Sequence, residues 1–298
     1  MNTAMKAAPA HLLCVLLAVA CAAERGGAPT RPITALDVGS LDPNLDPPCL
    51  PTFIGNTWTL AMDCTTLATI QIPDGGTVDG AGHKITAIEV PPSHFVGPVL
   101  KNMNAGSTVH VVNVTVTASL GSSGCEGGDN RLRGILFDDA SGSVTSSTVS
   151  HIKRGAGNGC QEGNAIEIRS CGGMGTQTVV IDQNTVFDYQ KNGITANCDV
   201  AATITGNTVQ GAGPVDYIAQ NGVQFGFRAT GEASGNSISD NFYTGCSHRD
   251  AAKTGCTPYV AAGLLLFDID PSLIRRSNNM FRNNQFNVLL VTYQSYES

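Results

Sequence analysis

Asn184-Thr185-Val186, Gly193-Ile194, Asn207-Thr208-Val209 and Gly222-Val223 follow one another within residues 184–223, and their alternation decides the fold. Both signatures recur outside this stretch. A small residue followed by an aliphatic one appears at Gly134-Ile135, Ala165-Ile166, Gly193-Ile194, Gly222-Val223 and Gly263-Leu264, at steps of 31, 28, 29 and 41 residues. Asn, once Ser, two before a hydrophobic residue appears at Ser147, Asn184, Asn207, Asn236 and Asn279, trailing the first signature by 13 to 19 residues. A period between about 20 and 50 residues marks a stacked or radial repeat. Between the signatures, apolar residues alternate with period two and are mostly β-branched, as in residues 108–116, 178–181 and 202–205. Asn, Gly, Asp and Ser interrupt them. This is strand and turn chemistry. Short strands without intervening helices favour a solenoid of β-coils over a leucine-rich horseshoe, and the period is too short for four-stranded propeller blades.

The 298-residue chain carries 17 basic and 24 acidic residues, a formal charge of -7. That balance lacks the clustered Lys and Arg of a nucleic-acid footprint, so no nucleic-acid partner is expected. Leu12 to Ala20 is an apolar run of signal-peptide length, shorter than a membrane span. Residues 1–21 therefore read as a signal segment and 22–47 as a flexible tether. Residues 48–298 are read as the folded domain, with no transmembrane segment in the mature chain. Ala18-Val19-Ala20-Cys21 looks like a lipobox, which would put a lipid anchor on Cys21; ordinary cleavage at the neighbouring alanines is the alternative. Either route delivers a secreted or cell-envelope protein. Eight cysteines lie beyond the signal: Cys49, Cys64, Cys125, Cys160, Cys171, Cys198, Cys246 and Cys256. An even number in an exported chain points to disulfides, and no C-x-x-C pair marks a metal site.

Thr77-Val78-Asp79-Gly80-Ala81-Gly82-His83-Lys84-Ile85-Thr86 resembles the first coil of right-handed parallel β-helix proteins of the pectate-lyase-like superfamily. The later Gly-Ile and Asn-Thr-Val repeats resemble its subsequent coils. The resemblance covers roughly residues 56–290 and implies an all-β, right-handed parallel β-helix, here with an N-terminal cap over residues 48–76. It implies no single activity, because the superfamily holds lyases, hydrolases, epimerases and non-catalytic surface proteins.

Stacking the coils makes columns. Ile135, Ile166, Ile194, Val223 and Leu264 should form one inward column, and Phe137, Ile168, Ala196, Phe225 and Leu266 a second. Asn184, Asn207 and Asn236 should form a ladder at a bend. The same alignment pairs Cys171 with Cys198 and Cys125 with Cys160 in adjacent coils. Cys246 and Cys256 would close the insertion behind the 41-residue step, and Cys49 and Cys64 would pin the cap.

The intervening positions should face solvent: Leu136, Glu167, Thr195, Gln224 and Leu265 in one column, and Asp138, Arg169, Asn197, Gly226 and Phe267 in the next. In a chain only 14% charged this face concentrates polar groups. Asn164, Asn192, Asn197, Gln220, Asn221 and Gln224 would bind a polyhydroxylated or uronate chain, with Glu162, Asp188, Tyr189, Asp216 and Tyr217 walling a groove. For a polysaccharide lyase, Lys191 or Arg169 would act as base, a lysine needing a neighbouring cation to lower its pKa. Glu167 completes the catalytic set, and Asp138 and Glu162, with Glu167, could hold Ca²⁺ through oxygen ligands. A glycoside hydrolase would instead use Asp138 or Asp139 with Glu167. The plainer alternative makes Glu167 and Arg169 a solvated surface pair. The leading expectation is an exported, carbohydrate-active protein of lyase type acting on a uronate-containing glycan. Its rivals are a non-catalytic surface or envelope protein binding a glycan or partner, and a structural spacer.

Overall fold

A computed structural model describes residues 45–245 and 259–292. The chain climbs through eight coils of three short strands each. The first coil is β1 (Thr57–Thr59), β2 (Cys64–Thr66) and β3 (Ile70–Ile72); the second is β4 (Thr77–Asp79), β5 (Lys84–Ile88) and β6 (Pro98–Asn102). The third is β7 (Thr108–Val112), β8 (Thr115–Ser119) and β9 (Arg133–Asp138); the fourth is β10 (Ser141–Thr145), β11 (Thr148–Ser150) and β12 (Asn164–Ser170). The fifth is β13 (Gln177–Asp182), β14 (Thr185–Phe187) and β15 (Asn192–Cys198); the sixth is β16 (Val200–Thr205), β17 (Thr208–Val215) and β18 (Asn221–Gly226). The seventh is β19 (Thr230–Ser234), β20 (Ser237–Tyr243) and β21 (Ala262–Phe267); the eighth is β22 (Ile274–Ser277), β23 (Met280–Arg282) and β24 (Phe286–Val291). First, second and third strands of successive coils pair in parallel into sheets I, II and III, eight strands each.

The register matches the sequence phasing. Ile135, Ile166, Ile194, Val223 and Leu264 are direct neighbours on sheet III, as are Phe137, Ile168, Ala196, Phe225 and Leu266. All ten are at most 1% exposed, so they form the continuous core. One difference lies at the N-terminal end. The solenoid already starts at Thr57, inside the segment read as a cap. What covers that end is shorter: Cys49 N–H donates to Thr65 O, Phe53 packs on Trp58, and Cys49 is bridged to Cys64.

The bend between sheets I and II explains the Asn signature. Gln183, Gly206, Gly235 and Asn278 adopt left-handed φ of 56°, 63°, 65° and 54°, turning the chain sharply before each signature residue. Glycine fits two of these positions because it lacks the Cβ that resists this conformation. The turn exposes backbone groups, and the following Asn satisfies them. Asn184 N and Nδ2 both donate to Asn207 Oδ1, at 2.9 and 3.0 Å, while Asn184 Nδ2 also reaches Val144 O. Asn207 repeats this with Asn236, and Asn236 with Asn279. Ser147 continues the ladder downward, its N–H donating to Asn184 Oδ1. A second ladder, Asn241 to Asn284, lacks a repeated signature and was not foreseen.

Three disulfides, Cys49–Cys64, Cys125–Cys160 and Cys171–Cys198, follow the expected pairing. They fit an oxidising, extracytoplasmic environment. Cys21, Cys246 and Cys256 lie outside the described residues, as do the signal segment and nearly all of the tether. Among the described residues no helix is long and apolar enough to cross a membrane.

Asn207→Ala leaves the Asn184 N–H and Ile181 C=O without their buried partner. Stability measured by urea denaturation should fall by about 2–6 kcal/mol, the sum of two such losses. Thr185→Ala on the exposed face one residue from the ladder should stay within about 0.5 kcal/mol.

Candidate functional site

Sheet III carries most of the candidate residues on its outer face, but that face is not open. Leu136, Glu167, Thr195, Gln224 and Leu265 point outward and yet are 0 to 9% exposed. Their burial corrects the expectation of a solvated column. The connection from β8 to β9 ends in a 3-10 turn at Gly128–Asn130, whose Asp129 meets Arg169 on this face. Arg133 anchors it, its guanidinium donating to Gly128 O and Arg131 O. Cys125–Cys160 ties the same connection to the one that follows it.

On this face, the charges pair with one another. Glu167 Oε2 accepts from Arg133 Nε and Asn164 Nδ2, both at 2.6 Å. Burial alone would raise the Glu167 pKa, but Arg133 and Arg169 outweigh it and hold the carboxyl ionised, below its ordinary value. Arg169 is gripped through Nε and Nη2 by Asp138, at 2.8 and 3.0 Å, and also meets Asp129. Lys101 reaches Asp138 at 2.9 Å. Burial opposes the charge on Asp138, yet Arg169 and Lys101 lower its pKa to about 2. Burial likewise disfavours the charged guanidinium of Arg169, but Asp138 and Glu167 raise its pKa further. A charged form favoured in this way counts against Arg169 as a general base, which must accept a proton.

Further along, amides interlock: Asn221 Nδ2 donates to Asn192, Asn192 Nδ2 to Gln224, and Gln224 Nε2 to Asn197. Gln220 is not among them. It turns into the corner between sheets II and III, where its amide satisfies Tyr189 O and Ala212 N–H. Tyr189 walls no groove either, being fully buried with its hydroxyl on Asn241 Oδ1. Asp188 sits at another corner with Lys153.

Lys191 and Arg169 do not share a site. Arg169 lies beside Asn197, six residues beyond Lys191, which at ~3.3 Å per residue separates them by roughly 15–20 Å. Lys191 Nζ donates to Ala219 O, and burial rather than a neighbouring cation lowers its pKa to about 8. The two residues expected to share Ca²⁺ are also separated. Glu162 points inward, fully buried against Arg154, with its oxygens accepting from the Leu132 and Glu126 N–H groups. Asp138 is held outside by Arg169 and Lys101. These carboxylates do not fit a Ca²⁺ site, since their oxygens already serve cations and backbone donors. Among the described residues no cluster of three or more His, Cys, Asp or Glu has metal-holding geometry.

Three buried polar atoms without a hydrogen-bond partner gather about Glu167: Arg131 Nε, Asn164 Oδ1 and Thr195 Oγ1. Sequence reasoning also passed over sheet I. Its outer positions include Thr108, Ser141 and Thr178 in register, beside His110 and Ser143 in contact at 2.8 Å. The period-two Thr and Ser of strands such as β7 and β10 were the available signal. A surface depression of about 490 Å³ lies elsewhere, lined by Asp268, Ile269, Asp270 and Leu273 among others.

Residues 133–295 match the family model described as right handed beta helix region. No curated protein and no solved structure matches the chain.

Two substitutions test the pairing. Glu162→Gln leaves Arg154 buried without its counter-charge and should cost about 3–5 kcal/mol by urea denaturation. The Asp138 pKa is depressed in the folded state, so its contribution is present above the unfolded value near ~3.9 and is lost as pH falls toward 2. Asp138→Asn should therefore be less stable than the parent above about pH 4. The difference should vanish near pH 2 in a pH series of melts.

Proposed function

The chain belongs to the right-handed β-helix family, and we propose that it is an exported or cell-envelope protein that binds a polyhydroxylated or uronate-containing glycan without transforming it. The observation that carries this reading is the charge-balanced cluster of half-buried Lys101, Asp138 and Arg169 with exposed Asp129, flanked by Asn197. Two cations and two carboxylates held in fixed geometry offer donors and acceptors to sugar hydroxyls with little net charge. Arg169 in addition suits a uronate carboxylate. Beside the cluster lie the buried atoms Asn164 Oδ1, Thr195 Oγ1 and Arg131 Nε, which have no protein hydrogen-bond partner. Each such atom costs about 1–3 kcal/mol unless water or a ligand group reaches it.

Lyase chemistry is the second reading, and Lys191 is what favours it. A lysine whose pKa falls to about 8, with a carbonyl as its hydrogen-bond acceptor, can serve as a base in mildly alkaline solution. Against it, Arg169, the cation that would meet a substrate carboxylate, lies at the far end of the strand from Lys191.

The test is a panel of neutral and uronate polysaccharides in affinity electrophoresis, with ultraviolet absorbance of unsaturated uronide followed in parallel, with and without Ca²⁺. We expect retardation by at least one glycan, weakened about tenfold or more by Arg169→Ala, unaffected by chelation, and no absorbance gain. Absorbance that rises with the parent chain and not with Lys191→Ala would replace binding by lyase action. Retardation indifferent to Arg169→Ala would remove the site.

A further inference from the structure

One cation on the outer face of sheet III has no counter-charge of its own. Arg131 follows the 3-10 turn at Gly128–Asn130 and stands two residues before Arg133. Leu132 between them is fully buried, so alternation sends both arginines outward. The backbone here is fixed: Leu132 N–H donates to Glu162 Oε2 at 2.7 Å, and Arg131 O accepts from Arg133 Nη1 at 3.0 Å. The Arg131 guanidinium, by contrast, makes no salt bridge or hydrogen bond with a described residue, although its Nε is buried. Burial and the repulsion of Arg133 lower its pKa, against the attraction of Glu167 and Glu162. Both carboxylates are already engaged, Glu167 by Arg133 and Glu162 by Arg154. On this face Lys101, Arg133 and Arg169 are matched by Asp138, Glu167 and Asp129. Arg131 is the surplus positive charge, in a chain whose formal charge is -7.

We propose that Arg131 recognises an oxyanion substituent of the bound glycan, a carboxylate or a sulfate ester, with Thr195 and Asn164 completing the subsite. The proposal rests on the glycan-binding reading and narrows it to anionic glycans. A guanidinium presents Nε–H and an Nη–H as a fork that two oxygens of such a group fill together. Arg131 Nε, buried and unpartnered, is the inner tine of that fork. Thr195 is paired with Glu167 on the next coil, is fully buried, and has an unpartnered Oγ1 whose O–H is a second donor. Asn164 Nδ2 is committed to Glu167 Oε2, which leaves Asn164 Oδ1 to accept from an adjoining sugar hydroxyl. Glu167 does not turn the anion away, because Arg133 and Arg169 offset its charge. Buried polar groups are costly when unfilled, and one ligand reaching all three removes that cost. A neutral sugar fills the hydrogen bonds but leaves the Arg131 charge unmatched.

Affinity electrophoresis on the full chain tests this. The gels carry a polyuronate, the same polymer with its carboxyl groups reduced to alcohols, or a sulfated polysaccharide. The proposal predicts a dissociation constant at least tenfold lower for the polyuronate or the sulfated polymer than for the reduced one, and the better of the two identifies the oxyanion. Arg131→Ala should abolish that preference. Arg131→Lys, which keeps the charge without the fork, should retain only part of it, and it keeps the test decisive if the alanine variant disturbs the fold. Thr195→Val should weaken anionic binding at least threefold without lowering the urea midpoint, because the hydroxyl it removes has no partner in the free protein. A purely structural Thr195 would move the midpoint alone. Equal affinity for reduced and anionic polymers, or a preference that survives Arg131→Ala, overturns the proposal and leaves glycan binding standing. A parent chain retarded by none of the three polymers overturns both.

Discussion

Parallel pairing of one coil on the next, ~4.8 Å away, governs everything else in the molecule. It makes residues about thirty positions apart into neighbours and repeats every side-chain choice vertically. A column therefore tolerates only residues that stack on their own kind or on a complement. Inside, aliphatic and aromatic side chains stack as core. At the bend, Asn amides chain together because each Asn accepts from the rung below and donates to it at once. Outside sheet III, like charges cannot stack: Asp138 neighbours Arg169 within one column, while Lys101 and Arg133 reach Asp138 and Glu167 from other columns.

That vertical logic shaped the candidate site in a way that limits its chemistry. A catalytic group needs a free lone pair or proton and access to substrate. Stacking supplied each charged group with its complement. Asp138 is held ionised by Arg169 and Lys101, Arg169 is held charged by Asp138, and Glu167 by Arg133. Lys191 escapes this pattern because it lies in a connection rather than on a strand, and burial lowers its pKa to about 8. Ion pairs of this kind lend position rather than reactivity, which is why binding is the better account of the face.

Repetition made the fold and core legible in the sequence. Gly-Ile and Asn-Thr-Val spacing fixed the register, the inward columns, the Asn ladder and three disulfides. Outwardness was legible as well, but solvent exposure was not. The connection beside this face does not repeat from coil to coil, and it is tied down by Arg133, Asp129 and the Cys125–Cys160 bridge. Gln220 and Tyr189 were misplaced for the same reason: they stand at corners, where period-two alternation ends. Lys191 and Arg169 stand on adjacent coils but are separated along the sheet by the length of a strand.

The central claim is that register alone makes a buried charge pair of Arg133 and Glu167, residues 34 apart in sequence. A double-mutant cycle with Arg133→Met and Glu167→Gln, read by urea denaturation, addresses it directly. The account predicts a coupling energy of about 2–3 kcal/mol. Additive effects, with coupling below about 0.5 kcal/mol, would contradict it.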